Sequence, residues 1–399
     1  MKQIINLLFL LSPVLALIAQ QREEDFNLES HFNETEYSKF RTRVQGWTVA
    51  IDQARGEVPL GVEFSATSRS PDALDLFYFR GNGEGAPLTQ ACWNQGSNWK
   101  TCRVFQYVFT YVMGSGRLTA ISRSPDRHDL FFVPKGYKVV HVERWRKHGG
   151  WWGGTPSIGQ NVDPGTAFGV VSRGSNMLES FWIRNDRALM HAYTEDDGDS
   201  WARDLVLDAN ADANPSSVAA MSRNANSMVV AWITSKGKLE VARYESSTWT
   251  STSVTNENTV AGTSKIATLS ITPNMMNLFW IGTNGLVHQS YWTSGMFNDQ
   301  WTTTLISSYP ANAGGIAAVS MNSNHMEVFW TSPGGTIYHA YWSTAQNRWI
   351  SEPLPGSTGA LRCQPGSPIT TVARKGKNTI EGWCRSVEGK LTHFYYYAN

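Results

Sequence analysis

A repeat of about fifty residues is the feature that most constrains how this chain of 399 residues can fold. A polar segment, which begins Ser-Arg in four of its seven copies, recurs at spacings of 48 to 54 residues. An aromatic residue follows each copy nine residues after its second position. Repeats of this length are typical of four-stranded propeller blades. The second positions and their aromatic residues are Arg69 and Tyr78, Arg123 and Phe132, Arg173 and Trp182, Arg223 and Trp232, Ile271 and Trp280, Met321 and Trp330, and Arg374 and Trp383.

Each unit alternates as strands do, for example in residues 326–330 and 337–342, which flank a Pro-Gly-Gly turn. We therefore predict an all-β, seven-bladed β-propeller with four-stranded blades. The seventh unit ends at Asn399 before its fourth strand, and a segment that starts at Trp47 resembles the fourth strands elsewhere. We expect this N-terminal strand to close the last blade and to leave no free sheet edge there. The other fourth strands are predicted to begin at Trp99, Trp152, Trp201, Trp249, Trp301 and Trp349.

The N-terminus has the pattern of a secretory signal. Lys2 precedes an apolar run over residues 4–18, which ends at Ala19 before a polar stretch. The run is too short to span a bilayer, so we expect no membrane span. The expected organisation is a signal peptide over 1–19, an N-terminal extension over 20–44 and a single propeller over 45–399. The protein is predicted to be secreted, with a glycan on Asn33 of the extension.

Four cysteines in a secreted chain predict two disulfides. Four cysteines allow three connectivities, and spacing alone does not choose among them. Nearness in sequence favours Cys92 with Cys102 and Cys363 with Cys384.

Charge and motifs exclude several classes of function. The net charge is +1, which argues against a nucleic-acid partner. No zinc-ligand spacing, nucleophile elbow or phosphate-binding loop occurs in the sequence, so we expect no metal and no cofactor. The remaining partners are a small molecule or a glycan.

Five arginines at the repeated position are expected to end the innermost strands, around one mouth of the central channel. Their guanidinium groups could bind a carboxylate, an enolate or sugar hydroxyls. Alternatively, each could hold the neighbouring blade through backbone carbonyls and turn carboxylates such as Asp72 or Asp126. Blades five and six carry Ile271 and Met321 instead, and this asymmetry favours one pocket with an apolar side. The five arginines are Arg69, Arg123, Arg173, Arg223 and Arg374.

The histidines fall into two groups. One group shares a third-strand position with two glutamines, which favours a packing or hydrogen-bonding role. The other group, His128 and His325, is expected in the loop after the first strand, where His128 could act as an acid or base oriented by Asp129 or be a surface residue. The shared position holds His191, His339 and His393, with Gln90 and Gln289 in other blades.

Blade two departs from the repeat over residues 135–154, where basic and aromatic side chains such as Tyr137 are concentrated. Divergence of one unit often marks a functional site. The same stretch could equally be a solvated basic edge, and both interpretations stay open.

Units such as residues 277–286, followed by a His/Gln-x-Tyr-Trp segment, resemble the repeat of PLL-like and fungal fucose-lectin-like propellers. The resemblance covers residues 45–399 and implies the propeller fold. It also implies three kinds of activity. These are sugar binding by a lectin, the hetero-Diels-Alderase reaction of tropolone-sesquiterpene biosynthesis, and polysaccharide cleavage by a rhamnosyl-glucuronate lyase.

A multivalent lectin repeats its ligand-binding set, whereas the aromatic position of the third strand is uneven here. We therefore expect one pocket at the channel, and a hetero-Diels-Alderase that joins a tropolone o-quinone methide to a humulene-type sesquiterpene. A fucose-type lectin is the alternative and a polysaccharide lyase the second alternative. The aromatic position reads Trp93, Trp145, Thr194, Glu245, Trp292, Trp342 and Tyr396. The predicted catalytic residues are Arg123, His128 and Arg173, and the predicted substrate-binding residues are Arg69, Arg223, Arg374, Tyr137, Ile271 and Met321.

Overall fold

A computed structural model gives the architecture of the chain, and the residues it describes form 29 strands in seven sheets. Six sheets have four strands and one has five, so the predicted seven-bladed, all-β propeller is confirmed. The predicted signal peptide, Asn33 and Tyr137 lie outside the described residues. The described residues are 41–44, 47–52, 56–81, 86–95, 97–105, 117–133, 138–146, 150–152, 157–294, 300–357, 359–374 and 376–397.

Blades one to three run from an innermost to an outermost strand in chain order. In blade two, Trp152 ends the outermost strand instead of beginning it, so the predicted start at Trp152 is wrong. The strands are β3 (Ser65–Ser70), β4 (Ala73–Phe79), β5 (Leu88–Asn94) and β6 (Lys100–Val104) in blade one, β7 (Leu118–Ser124), β8 (Arg127–Phe132), β9 (His141–Arg146) and β10 (Gly150–Trp152) in blade two, and β11 (Gly169–Ser172), β12 (Leu178–Ile183), β13 (Leu189–Thr194) and β14 (Ala202–Asp208) in blade three.

Blades four to six repeat this order, and every neighbouring pair of strands is antiparallel. Their strands are β15 (Ala219–Asn224), β16 (Ser227–Ile233), β17 (Leu239–Glu245) and β18 (Thr248–Ser253) in blade four, β19 (Ala267–Leu269), β20 (Met275–Ile281), β21 (Val287–Thr293) and β22 (Thr302–Leu305) in blade five, and β23 (Ile316–Val319), β24 (Glu327–Thr331), β25 (Ile337–Ser343) and β26 (Arg348–Pro353) in blade six.

Blade seven joins the two ends of the described chain. Strand β2 pairs with the last strand over six register pairs, from Trp47 with Tyr396 to Asp52 with Leu391. This confirms the predicted closure. A further strand, β1, pairs outside β2 and makes the blade five-stranded, which the repeat did not predict. The strands of blade seven are β1 (Arg41–Val44), β2 (Trp47–Asp52), β27 (Ile369–Ala373), β28 (Thr379–Arg385) and β29 (Leu391–Tyr397).

Burial explains why inner and outer strands differ in composition. All seven residues of β16 are buried, because both faces of this strand are covered by neighbouring blades. A strand buried on both faces reads as a nearly continuous apolar run. The outermost strand β18, with the sequence Thr-Trp-Thr-Ser-Thr-Ser, is mostly exposed. The apolar second strand of each unit therefore marks the core of its blade.

The constant nine-residue offset does not mark one structural position in every blade. In blade three, the register partner of His191 on the second strand is Phe181, which immediately precedes Trp182. In blade seven, the corresponding partner of His393 is Trp383 itself. The turn after Arg374 is one residue longer than in the other arginine-containing blades, so Trp383 occupies the place that Phe181 has in blade three.

Two disulfides reinforce blades one and seven, and both predicted pairs are confirmed. Cys92 and Cys102 join the third and fourth strands of blade one. Cys363, in the segment that enters blade seven, is joined to Cys384 of β28. Among the described residues, no helix is long and apolar enough to cross a membrane.

The closing strand should determine the stability of the ring. Trp47 is buried, and its ring lies 5.6 Å from Phe329 of blade six and 5.3 Å from Tyr396 of blade seven. We expect Trp47→Ala to lower the free energy of unfolding by about 3–5 kcal/mol, the usual cost of removing a buried tryptophan. Denaturant unfolding measures this, with Leu205→Ala on the exposed face of β14 as the control. Equal stability of the two variants would contradict the closure argument.

Candidate functional site

The repeat places an equivalent set of side-chain positions at each boundary between blades. Cleft 1/2, between blades one and two, illustrates them. At the end of its innermost strand, Arg69 donates from Nε to Asp75 Oδ2 at 2.6 Å. From the third strand, Gln90 donates to Asp75 Oδ1 at 2.8 Å. The next blade supplies Trp145, whose ring centroid lies 5.4 Å from the guanidinium carbon of Arg69. We call these four positions the arginine, acidic, backing and aromatic positions, and name each cleft by its two blades.

Cleft 7/1 has the same set. Arg374 donates from Nε to Thr379 Oγ1 at 2.9 Å and lies 3.9 Å from Glu381. Its guanidinium carbon is 4.8 Å from the ring centroid of Trp93 and 5.0 Å from that of Tyr397. Burial, together with the charge of Glu381, raises the pKa of Tyr397 well above its usual value, so this phenol remains a hydrogen-bond donor to Glu381.

Cleft 3/4 carries the set in a more closed form. Arg173 donates to Glu179 Oε1 at 2.6 Å and lies 5.6 Å from the Tyr244 ring. Its Nη1 also donates to the backbone carbonyl of Ala225 at 2.8 Å, in the next blade. Part of this guanidinium is therefore used to hold two blades together.

Arg69 and Arg374 differ from the other arginines in their remaining hydrogen-bonding capacity. Their side chains are 17% and 11% exposed. Of the three side-chain nitrogens of each arginine, only Nε has a hydrogen-bond partner among the described residues. Four N–H bonds on the two terminal nitrogens of each guanidinium can therefore reach a ligand.

The residue at the backing position forms a hydrogen bond with the residue at the acidic position and so orients it. This is the hydrogen-bonding role predicted for the shared histidine and glutamine position. His191, for example, contacts Glu179 Oε2 at 2.5 Å. Each carboxylate is thereby fixed in place while it faces the arginine position. The other pairs are His339 with Glu327 at 2.5 Å, His393 with Glu381 at 2.7 Å, Gln90 with Asp75 at 2.8 Å and Gln289 with Asn277 at 2.7 Å.

Cleft 2/3 is closed by ion pairs. Arg123 is fully buried and contacts Asp129 at 2.7 Å and Asp197 of blade three at 2.7 Å. It also donates to the backbone carbonyl of Ser175. Every guanidinium nitrogen has a partner, and the aromatic position of blade three is Thr194. Burial raises the pKa of Asp129, although Arg123 opposes the shift. Here the arginine holds the neighbouring blade together, as the structural alternative proposed.

Cleft 4/5 uses a different carboxylate. Arg223 donates to Ser227 Oγ at 2.9 Å, contacts Glu245 and lies 4.6 Å from the Trp292 ring. The register pairs Met228 with Tyr244, so Tyr244 is the aromatic residue of blade four. The assignment of Glu245 to this position was one residue out of register and is wrong. Six of the seven blades therefore carry an aromatic ring at this position.

His128 lies inside cleft 1/2 and not in a loop. It belongs to β8 and is 1% exposed, because its ring packs 5.3 Å from Trp145. Its Nδ1 is 3.3 Å from Thr67 Oγ1 and its Nε2 is 3.4 Å from Asp75 Oδ2. The loop placement was wrong because the turn before β8 is only two residues long.

The three residues predicted to act together occupy three different clefts. His128 lies in cleft 1/2, Arg123 in cleft 2/3 and Arg173 in cleft 3/4. Ile271 borders the cavity of cleft 5/6, and Met321 belongs to blade six. A catalytic role for these residues stays a prediction.

The central channel has its own cavity, of about 260 Å³. The starts of the innermost strands line it, and the arginine positions lie at the opposite ends of these strands. Glu63 accepts from Arg117 at 2.7 Å and is paired with Lys265. Burial acts to raise the pKa of Glu63, but the two cations hold it below its usual value. No cluster of metal-ligating side chains occurs in the described part of the chain.

Solved structures with this architecture include several lectins. The BP39L lectin from Burkholderia pseudomallei has a TM-score of 0.73 and 17% identity over 84% of this chain and 96% of its own. SapL1 lectin, in complex with alpha methyl fucoside, has a TM-score of 0.55 and 16% identity over 75% and 98%. The six-bladed fucose-recognising lectin from Aleuria aurantia has a TM-score of 0.52 and 13% identity over 76% and 99%. The chain shares the β-propeller architecture of these proteins, with seven blades where the Aleuria aurantia lectin has six. At such identities the likeness shows the fold alone.

No protein-family model and no characterised protein matches the chain by sequence. The comparisons therefore establish the β-propeller fold and no binding activity.

The closed cleft 2/3 should contribute to stability. Removing one partner of a buried ion pair leaves an uncompensated charge, so we expect Arg123→Ala to lower the free energy of unfolding by about 3–5 kcal/mol. Arg127→Ala is the matched control, because this neighbouring arginine is 30% exposed and also contacts Asp197, at 3.3 Å. Exposed pairs contribute about 0–1 kcal/mol. Denaturant unfolding compares the two, and equal losses would contradict the assignment.

Proposed function

We propose that this protein is a lectin that binds fucose-type glycans in clefts 1/2 and 7/1. The observation that carries the proposal is the meeting of three groups in each cleft. Arg69 and Arg374 keep terminal nitrogens without partners among the described residues, beside a buried carboxylate and an aromatic ring. The fold shared with lectins solved with fucosides supports the same ligand class.

The three groups match the chemistry of a deoxysugar. A sugar hydroxyl can accept a hydrogen bond from a guanidinium N–H, and the buried carboxylate beside each arginine holds that guanidinium in place. The ring of Trp145 lines the cavity of cleft 1/2 and offers apolar surface to the C–H face and methyl group of the sugar. In cleft 7/1, Trp93 is 8% exposed and lies against Arg374. Asp75 and Glu381 are fixed by their backing residues, so little side-chain freedom remains to be lost on binding.

The enzyme alternatives need one asymmetric pocket with free polar groups. Among the described residues, Arg123 has a protein partner on every guanidinium nitrogen, and His128 is buried against Trp145. The open arginines lie in two similar clefts on either side of blade one. This repetition favours the lectin over the hetero-Diels-Alderase and the lyase.

Two clefts on one ring would act together on a surface that carries many glycans. Once one cleft is occupied, the second binds at a high effective concentration. The two disulfides agree with folding in an oxidising compartment, and we propose that the lectin acts outside the cell.

Arginine substitutions test the assignment of the clefts. We expect Arg69→Ala and Arg374→Ala each to remove one site for methyl α-L-fucoside, because each lost charge-assisted hydrogen bond costs about 1.5–3 kcal/mol. The double variant should bind none. Isothermal titration calorimetry measures both stoichiometry and affinity, with Arg348→Ala on an exposed part of β26 as the control.

Two results would contradict the proposal. One is a parent protein that binds no fucosylated ligand on a glycan array. The other is a double variant that retains the affinity of the parent.

Binding in cleft 1/2 should weaken in acid. Burial raises the pKa of Asp75 above its ordinary value, although Arg69 opposes the shift. Asp75 therefore takes up a proton at a higher pH than an ordinary aspartate and then loses its acceptor charge. We expect the affinity of an Arg374→Ala variant, which retains cleft 1/2, to fall as the pH decreases through this raised pKa. A further Asp75→Asn change should give weak binding that varies less with pH.

A further inference from the structure

Cleft 5/6 contains a cavity of about 460 Å³ whose chemistry differs from that of the arginine clefts. Ile271 stands at its arginine position and Asn277 at its acidic position. The aromatic position of the next blade is retained as Trp342. The backbone framework is therefore the same, but the charged pair that recognises hydroxyls has been replaced by uncharged side chains.

The polar groups at the base of this cleft are already paired with one another. Gln289 donates from Nε2 to Asn277 Oδ1 at 2.7 Å, and it accepts from Trp349 Nε1 at 2.9 Å. Asn277 donates in turn to the backbone carbonyl of Leu269 at 3.1 Å. A ligand that enters the cleft gains little from these groups, because it would have to break their existing hydrogen bonds.

Half of the twelve residues that line the cavity are aliphatic or aromatic, and the other half are uncharged polar residues. Met275 and Tyr291 come from blade five, while Met326 and Trp342 come from blade six. The rings of Trp342 and Trp349 are 5.8 Å apart with an interplanar angle of 72°, so two aromatic surfaces meet nearly at right angles. Tyr291 is the only ionisable side chain among the described residues that line the cavity. Flexible thioether groups adapt well to flat apolar ligands.

We propose that cleft 5/6 binds a neutral, planar aromatic group, as a free small molecule or as the aryl group of a glycoside. A hydroxyl-rich sugar would lose hydrogen bonds to water in this cleft without charged partners to replace them. A flat aromatic ring instead buries apolar surface against Trp342 and against Ile271 and Met275. The site is independent of the glycan clefts, so it can exist even if the lectin proposal fails.

The test uses the full chain, with coumarin as the free aromatic probe, phenyl α-L-fucoside as the aryl glycoside and methyl α-L-fucoside as the sugar without an aryl group. We expect coumarin to bind saturably at one site. Trp342→Ala should weaken this binding at least about tenfold, which corresponds to about 1.4 kcal/mol. Trp145→Ala is the matched control, because Trp145 holds the same repeat position in cleft 1/2. It should leave coumarin binding unchanged and weaken methyl α-L-fucoside.

A second variant tests the site in case Trp342→Ala does not fold. Ile271→Arg keeps the tryptophan but places a cation at the apolar wall, and it should also weaken coumarin binding about tenfold or more. Circular dichroism shows whether each variant retains the parent fold. Loss of coumarin binding by a folded Ile271→Arg supports the site even where Trp342→Ala does not fold.

The two glycan clefts are removed by the Arg69→Ala, Arg374→Ala double variant before phenyl α-L-fucoside is titrated. Binding of this probe that is lost on adding Trp342→Ala identifies an aryl glycoside as a ligand, whereas binding of coumarin alone identifies a free aromatic. Absence of saturable binding by both aromatic probes would overturn the proposal. So would unchanged coumarin affinity in folded Ile271→Arg, or methyl α-L-fucoside binding that depends on Trp342. Failure of the lectin proposal would appear separately, as a parent that binds coumarin but not methyl α-L-fucoside.

Discussion

The pairing of β2 with β29 is the constraint on which the rest of the structure depends. Each blade is apolar on both faces at its second strand, so each needs a neighbour on both sides to bury those faces. A ring satisfies this need for every blade only if it closes. The six register pairs between Trp47–Asp52 and Leu391–Tyr396 join the first part of the described chain to its last blade, and Trp47 completes the core there. The stability of this fold therefore depends on closure of the ring.

Closure also creates the clefts. The arginine, acidic and backing positions come from one blade, and the aromatic position comes from the next, so no single repeat contains a complete site. Cleft 7/1 shows this clearly, because Arg374 of the last blade meets Trp93 of the first only when the ring is closed. Any change that opens the ring should therefore separate the residues of cleft 7/1 and also lower the stability.

One backbone framework supports three kinds of chemistry around the ring. Among the described residues, the terminal nitrogens of Arg69 and Arg374 have no hydrogen-bond partner and lie beside a carboxylate and a ring. In cleft 2/3, Asp197 of the neighbouring blade takes up the donors of Arg123 and makes the contact structural. In cleft 5/6, Ile271 and the paired amides replace the charged pair, and no charged side chain is among the described residues that line the cavity. Substitutions at two or three positions thus change the role of a cleft without changing the fold.

The sequence by itself determined the seven blades and the closing strand, and it favoured the two disulfide pairs and a packing or hydrogen-bonding role of the shared histidine and glutamine position. These follow from periodicity and spacing, which are properties of the chain read in order. Tertiary structure alone decided which arginines are open, because the partners of Arg123 and Arg173 come from the following blade. It also decided that His128 is buried. Likewise, it decided that Tyr244, and not Glu245, faces cleft 3/4, because a one-residue change of register turns a strand side chain to the opposite face. Contacts between blades depend on how neighbouring sheets pack, and this packing is not recorded in the spacing of the repeat.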